Sequence, residues 1–493
     1  MVNQMFFMGI DIGSSGCKVS VVDEKGNIIK NSSKNYSFTY EGNTIELSPE
    51  MVYESTVEAI RAITDENPSL HIDAISAASF GEMVVLLDEN DKVLTNSISY
   101  SDLRGQSQIR EFSKEFGEDN IYSVTGTTPD AMYSLAKLLW FKENRRDIFS
   151  KTKKICLFAD FILQKFGADY HMDYSLASRT QMFDITHRCW SDEIVSRLGI
   201  DKSILPPLVP SGTPVGTISK KASADLGIEE GTLILAGGHD QCFASLGAGI
   251  IHEGMALDGM GSNECVVPVF STPMINETMK ESSFACVPYL LEGKYVTYAF
   301  NRTSGSVIDW YKKLRQNISY DELFENIENS PSRVLFLPHF AGAATPYMDD
   351  DATGAIAGLD LSVTPDEVTK GIIDGLNYEI KINLDALKKA GHRVSKLYVS
   401  GGLSKNDKVL QTKADILGMD VCRLETSQAG TVAVAILGSV AKGIYSDIER
   451  AVEKIVRIDK IFTPDMENHK KYALRYEKYK KMYENIKNIT KRN

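Results

Sequence analysis

The chain has little sulfur for its length, and none of it is arranged to bridge or to ligate. Its 493 residues carry seven cysteines, Cys17, Cys156, Cys189, Cys242, Cys265, Cys286 and Cys422, without a C-x-x-C pair. An odd, dispersed set of thiols argues against a disulfide framework and fits a cytoplasmic enzyme with reduced cysteines. No G-x-x-x-x-G-K-[ST] string occurs, which excludes a P-loop, and no glycine turn makes a convincing dinucleotide fingerprint. No apolar run is long enough to span a membrane; the longest candidate, Gly430 to Tyr445, is rich in small residues and interrupted by Lys442. The amino-terminal apolar run, Met5 to Ile10, is short and ends at Asp11, so no signal peptide is expected. Positive charge is in deficit: 54 Lys and Arg stand against 66 Asp and Glu, a formal net charge of -12. This argues against nucleic acid and anionic membranes as partners, so a phosphate ligand would need local N–H-rich sites. His187, His239 and His252 lack metal-ligand spacing, which argues against a metalloenzyme.

What is present fits a large α/β protein. An apolar fraction of 43% is that of a folded chain, and the length suggests two large domains. Phe6 to Ile10 and Lys18 to Val22 read as strands around the turn Asp11 to Gly16, with a third strand opening at Ile28. Pro49 to Ala62 has helical spacing, and Asp73 to Ser79 and Val84 to Asp88 read as strands. The opening recurs more weakly in the second half: Gly254 to Leu257 is apolar, Asp258 to Asn263 a turn and Cys265 to Phe270 a strand. Two such hairpins predict two related domains facing each other, divided near Gly247 to Gly254 into 1–250 and 251–493. Asp366 to Ala390 reads as a long helix capped by Thr364 or Asp366 and stopped by Gly391, and Lys396 to Ser400 as a strand. In the basic tail, Tyr472, Tyr476, Tyr479, Tyr483 and Ile486 form one helical stripe, predicted to be a docking face.

Three glycine turns could offer backbone N–H groups to phosphate: Gly13 to Gly16, Gly261 to Asn263, and Gly401-Gly402. Each alone is also an ordinary turn. Asp11, just before the first turn, is placed either to hold Mg²⁺ or simply to cap the turn. Asp240 follows a predicted strand, Thr232 to Ala236, and the Gly237-Gly238 break. It can accept a proton from an alcohol in a cleft, or be a polar loop residue.

These residues resemble the FGGY carbohydrate kinases, from about Met8 to Tyr445. Met132-x-Ser134-x-x-Lys137-Leu138-x-Trp140-Phe141-x-Glu143-Asn144 is similar to the family's first signature. Gly354 to Asp374, through Gly358-Leu359 and Glu367-Val368, is similar to its second, departing at Gly371 where Ala or Ser is usual. The resemblance implies an actin/hexokinase/Hsp70-like (ribonuclease H-like) fold with ATP in a cleft between two domains, and a cytoplasmic sugar kinase using ATP and Mg²⁺. It implies Asp11 for the metal and Asp240 for the catalytic base. Gly13, Ser14, Ser15, Lys18, Gly261, Ser262, Gly305, Asp309, Gly401, Gly402 and Asn406 would meet ATP. Glu82, Met83, Asp102, Arg104, Met132, Asp240 and Gln241 would meet the sugar, and a homodimer is compatible with it. The loop Gly342-Ala343-Ala344 departs from the family's charged string, and the second hairpin reads Gly261-Ser262-Asn263. Glycerol kinase carries an Arg before the Glu where this chain has Gly81, and an aromatic where it has Met132. A ketose, xylulose-like or deoxy, is therefore expected ahead of glycerol or erythritol. A non-catalytic sensor or a chaperone-type ATPase of the same fold would not need Asp240 together with Glu82, Asp102 and Arg104.

Overall fold

The computed structural model describes residues 4–426 and 428–490. Its first half opens with the meander β1 (Phe6–Ile12), β2 (Gly16–Asp23) and β3 (Ile28–Asn35). Helix α1 (Pro49–Thr64) follows, started by Ser48, whose side chain accepts from Met51 N, and by Pro49 at the first turn. Its buried residues Val52, Thr56, Ala59, Ile60 and Ile63 recur every three or four positions. Then come β4 (Ala74–Ser79), α2 (Ser134–Asn144), β5 (Pro214–Thr217), β6 (Leu233–Leu235) and α3 (Asp240–Gly247). The sheet order is β5-β6-β4-β1-β2-β3, with β1 parallel to β4, β4 parallel to β6, and the β1–β2 and β2–β3 pairs antiparallel.

The second half repeats that plan. It contains β7 (Met255–Met260), β8 (Glu264–Phe270), β9 (Ala299–Asn301), α4 (Gly305–Leu314), α5 (Pro365–Lys389), β10 (Lys396–Ser400), α6 (Asp407–Leu417), β11 (Asp420–Leu424), α7 (Ala429–Ala441), β12 (Ile458–Phe462) and α8 (Met466–Thr490). Its sheet runs β8-β7-β10-β11-β12 with β9 on the outer edge of β8, and β7–β10 and β10–β11 are parallel. Each half thus has a hairpin leading two parallel strands and an antiparallel edge. The Asp258 to Asn263 turn expected from sequence is shorter: Asp258, Gly259 and Met260 extend β7, because each pairs with both β8 and, for Asp258 and Gly259, β10. Helix α5 is capped by Thr364, in a capping box with Glu367, rather than by Asp366.

Helices α3 and α7 cross between the two sheets, and α7 lies on β1. The approach is closed to side chains at three glycines. A Cβ on Gly247 would lie 1.7 Å from the Ala429 carbonyl oxygen, one on Gly438 2.3 Å from the Phe7 ring, and one on Gly9 3.0 Å from Val434. Around this crossing Phe7, Leu235, Phe243, Leu246, Leu257, Val267, Tyr398, Val432 and Ile436 form one core with members from both halves. In α8 the tyrosine stripe docks as expected: Tyr472, Tyr476, Tyr479 and Tyr483 are buried. Their hydroxyls also find partners: Tyr472 accepts from Lys370, while Tyr476, Tyr479 and Tyr483 donate to Asp385, Glu379 and Asp349. No helix among the described residues is long and apolar enough to cross a membrane.

Gly247→Ala should be strongly destabilising, because the methyl would fall on a backbone carbonyl that cannot move without shifting α7. Gly259→Ala, whose Cβ would meet nothing nearer than 3.8 Å, is the control. Thermal unfolding should show a drop of several degrees for the first and little change for the second. Equal midpoints would contradict the close crossing.

Candidate active site

The two hairpin turns are built alike. Gly13 N donates to Gly16 O at 3.0 Å, and Gly261 N donates to Asn263 O at 3.0 Å. The first is braced by Tyr36, whose hydroxyl donates to Gly13 O and whose N–H donates to Ser15 O. The second is tied to α4, since Gly305 N and Ser304 N donate to Gly261 O and Ser262 O. Gly305 is required there: a Cβ would come within 2.8 Å of Gly261 O. Gly401, with φ 104°, backs onto Met260 in the same way. Beneath the second turn, fully buried Lys413 bonds Asp258 at 2.5 Å and Glu264 at 2.6 Å, and Ser304 donates to Glu264.

Asp240 is the first residue of α3, not a loop residue. The short strand Gly238–His239 pairs with β4 and carries it to the sheet edge. His239 N donates to Ser175 Oγ, which donates to the buried Asp173, fixing the backbone just before Asp240. The His239 ring, held neutral by burial and by nearby Arg179, has its Nδ1 2.9 Å from Tyr298 Oη. Asp240 Oδ1 accepts from Gln241 N at 2.6 Å. Burial, then the neighbouring carboxylates of Asp11 and Glu82, pushes the Asp240 pKa up to about 8. Asp11, at the end of β1, is raised as well, by burial that Lys18 only partly offsets. Tyr100 lies beside Ser14 and within electrostatic reach of Glu82 and Asp240.

Glu82 sits at φ 70°, an unusual conformation for a side-chain-bearing residue. It is pinned from two sides. Ser134, opening α2, donates to Glu82 O at 2.7 Å, and Arg179 holds Glu82 Oε1 from Nε at 2.6 Å and Nη2 at 2.5 Å. Arg179 occupies the space a side chain at Gly81 would need: a Cβ there would lie 2.5 Å from Arg179 Cγ. Lys137 of α2 donates to the carbonyls of Asp102 and Arg104, and burial lowers its pKa to about 8. The first signature's Ser134 and Lys137 thus hold Glu82 and the 102–104 loop.

Asp102 and Arg104 depart from the sequence expectation. Asp102 receives Arg104 Nε and Nη2 and the N–H groups of Ile45 and Arg104, and its side chain is 1% exposed. With Arg104 also bonded to Glu46, the pair is turned on itself, leaving no Asp102 oxygen free for a hydroxyl. Met83 is likewise turned into the core, fully buried. Met132 and Gln241 remain half-buried, Gln241 next to Asp240 at the start of α3.

On the second half, Met260, Gly261, Ser262, Gly305, Asp309, Gly402 and Asn406 line a cavity of about 520 Å³. Six of the residues expected to meet ATP therefore share one wall. Tyr320, Asp321, Phe324, Leu403 and Lys405 complete it. Tyr320 donates to Asp309 at 2.6 Å, lies against Phe324 and carries Lys312 3.7 Å above its ring. Gly13, Ser14, Ser15 and Lys18 do not line this cavity, and Ser15 and Lys18 are exposed. Arg179, Tyr298, Tyr100 and Tyr320 were not reached from sequence. Arg179 lies 97 positions from Glu82 and belongs to neither signature, so spacing held no sign of the pair.

A glycine turn in each half and the acidic group of Asp11, Glu82 and Asp240 are the parts that a phosphoryl-transfer enzyme needs. Residues 6–247 match the model of the FGGY family of carbohydrate kinases, N-terminal domain, and residues 258–442 that of its C-terminal domain. The chain belongs to the FGGY family of carbohydrate kinases. It is 29% identical to a xylulose kinase of Bacillus subtilis, over 98% of both chains. It is 25% identical to a gluconokinase of Bacillus licheniformis, over 95% of this chain and 93% of that one. The fold matches the solved ligand-bound xylulose kinase of Lactobacillus acidophilus with a TM-score of 0.90, at 22% identity and 98% coverage of each chain.

Ionising a carboxylate whose pKa the fold has raised costs stability, a cost absent at low pH and complete above the raised value. Asp240→Asn removes it. The Tm gain of Asp240→Asn over wild type should therefore grow between pH 5 and pH 8. A gain that stays flat or shrinks would contradict the raised pKa of Asp240.

Proposed function

We propose that this carbohydrate kinase transfers the γ-phosphoryl group of ATP to a hydroxyl of a ketose, with xylulose-like chains first. The observation that carries the reading is Asp240, fixed at the first turn of α3 within electrostatic reach of Asp11 and Glu82, with its pKa pushed up to about 8. The names of the xylulose kinase relatives, similar along the whole chain, favour a ketose over a polyol. Met132, half-buried and flexible, suits a chain longer than glycerol.

In this reading Asp240 orients the acceptor hydroxyl and takes its proton as the oxygen attacks the γ-phosphorus in line, and ADP leaves. The turns at Gly13–Ser15 and Gly261–Ser262 present N–H groups to the phosphates, and Lys18 supplies charge. The nucleoside lies in the cavity between Gly305, Asp309, Gly402 and Asn406. The halves 1–250 and 251–493 close over the substrates and exclude water. Asp102 and Arg104 act here by shaping the pocket floor.

Mg²⁺ fits this site in one form. Among the described residues no group of three or more His, Cys, Asp or Glu could cage a metal. Asp11, a raised carboxylate at the end of β1, suits an ion held mainly by phosphates and water. Bound there, the ion would neutralise charge on the phosphate oxygens. The seven unpaired thiols support a cytoplasmic location.

A panel of D-xylulose, L-fuculose, L-ribulose, erythritol and glycerol decides the substrate class. A ketose should lead in kcat/KM, and a tenfold lead for glycerol or erythritol would overturn the ketose reading. Asp240→Asn should abolish sugar phosphorylation while leaving ATP affinity near wild type; turnover within a few-fold of wild type would remove Asp240 from the base role. Since a base works only when ionised, kcat/KM should fall as pH falls, with a midpoint well above the ordinary carboxylate value. A profile flat from pH 8 to pH 5 would contradict it.

A further inference from the structure

Arg179 follows the short helix Tyr174–Ser178 and reaches back across Gly81. Two of its nitrogens, Nε and Nη2, bond Glu82 Oε1. The third, Nη1, finds no acceptor among the described residues, although it is shut off from solvent and the side chain is only 6% exposed. The Tyr133 hydroxyl lies alongside the guanidinium. The guanidinium plane is fixed, with the Tyr133 ring 5.0 Å and the Tyr298 ring 5.4 Å from its centre. Glu82 is similarly half-used: Oε1 takes both bonds from Arg179, while Oε2 receives none from the described residues. Asp240, His239 and Glu82 all lie within electrostatic reach of Arg179.

A buried donor left open in a native fold calls for a partner that the chain does not supply. Beside it stands an open acceptor, and the two belong to one rigid ion pair. We propose that Arg179 is a specificity-determining residue of the sugar site, and that Arg179 Nη1 and Glu82 Oε2 together read a hydroxyketone unit. Nη1 donates to the carbonyl oxygen, and Oε2 accepts from the adjacent hydroxyl. The pair sums to zero charge, and Asp11 and Asp240 make the surroundings acidic, so the site offers no net cation to a carboxylate. Neutral ketoses are therefore favoured over sugar acids of the same length. This rests on the kinase reading and adds to it the oxygens that select the substrate.

The test compares the full-length wild type with Arg179→Lys and with the double variant Arg179→Met/Glu82→Gln. The double variant removes the pair without leaving a lone buried charge. Each is assayed with D-xylulose, xylitol and D-gluconate, alongside ATP affinity and thermal midpoint. Xylitol carries a hydroxyl where the ketose carbonyl lies. Wild type should prefer D-xylulose to both others. In Arg179→Lys, kcat/KM for D-xylulose should fall about tenfold to a hundredfold, the size of one buried hydrogen bond in a specificity site. The xylulose-to-xylitol ratio should collapse toward one, with ATP affinity within twofold of wild type. The double variant should stay folded with the same lost ratio. An unchanged ratio in either folded variant overturns the proposal and leaves the kinase reading standing. Losses that are equal on all substrates and follow the thermal midpoint show a purely structural role and overturn it too. A wild type that prefers D-gluconate overturns the charge argument, and one that phosphorylates none of the three overturns both readings.

Discussion

The structure depends on a close crossing between helices α3 and α7, possible only because Gly247 has no side chain. Each helix belongs to a different half of the chain, and each packs toward the sheets where their parallel strands end. Had the helices been held a side chain further apart, the hairpin turns at Gly13 and Gly261 would splay. Asp240, the first residue of α3, would lose its register with Asp11 and Glu82. The apolar core around the crossing, with Phe7, Leu246, Leu257 and Val432, draws members from both halves and ties them together.

Around Asp240 the protein gathers carboxylates that raise its pKa, and it admits one paired guanidinium. The Asp240 pKa is pushed up to about 8 by burial and then by Asp11 and Glu82. Glu82 is held in place by Arg179, and its unusual backbone is overdetermined by Ser134 and the guanidinium. The cost of so much buried charge is offset by the rigid networks behind it: His239–Ser175–Asp173 on one side, and Lys413 with Asp258 and Glu264 on the other.

Much of this was legible in the sequence because it is local. Strand–turn–strand patterns at Phe6 to Val22 and again after Gly254 announced the duplicated halves, and the tyrosine period of the tail announced a docked helix. Asp11 and Asp240 stood out through the turns beside them. The second turn was read too long because Asp258 and Gly259 have turn-like composition, yet their pairing with two neighbouring strands is long-range. Asp102 and Arg104 were read as residues that meet the sugar; which oxygens they spend on each other is set by packing against Ile45 and Lys137. Arg179 was invisible for the same reason: its role comes from the gap left by Gly81, a relation between distant positions that no spacing encodes.

The central claim is that the acceptor sugar lies on Asp240 between the two turns. The most direct test is a crystal structure of the protein with a ketose and a non-hydrolysable ATP analogue. The account predicts one sugar hydroxyl within hydrogen-bonding distance of the Asp240 carboxylate. The γ-phosphate should lie in line behind it, contacting backbone N–H groups of both the Gly13 and the Gly261 turns. A sugar bound away from Asp240, or a γ-phosphate touching only one of the turns in a closed complex, would contradict it.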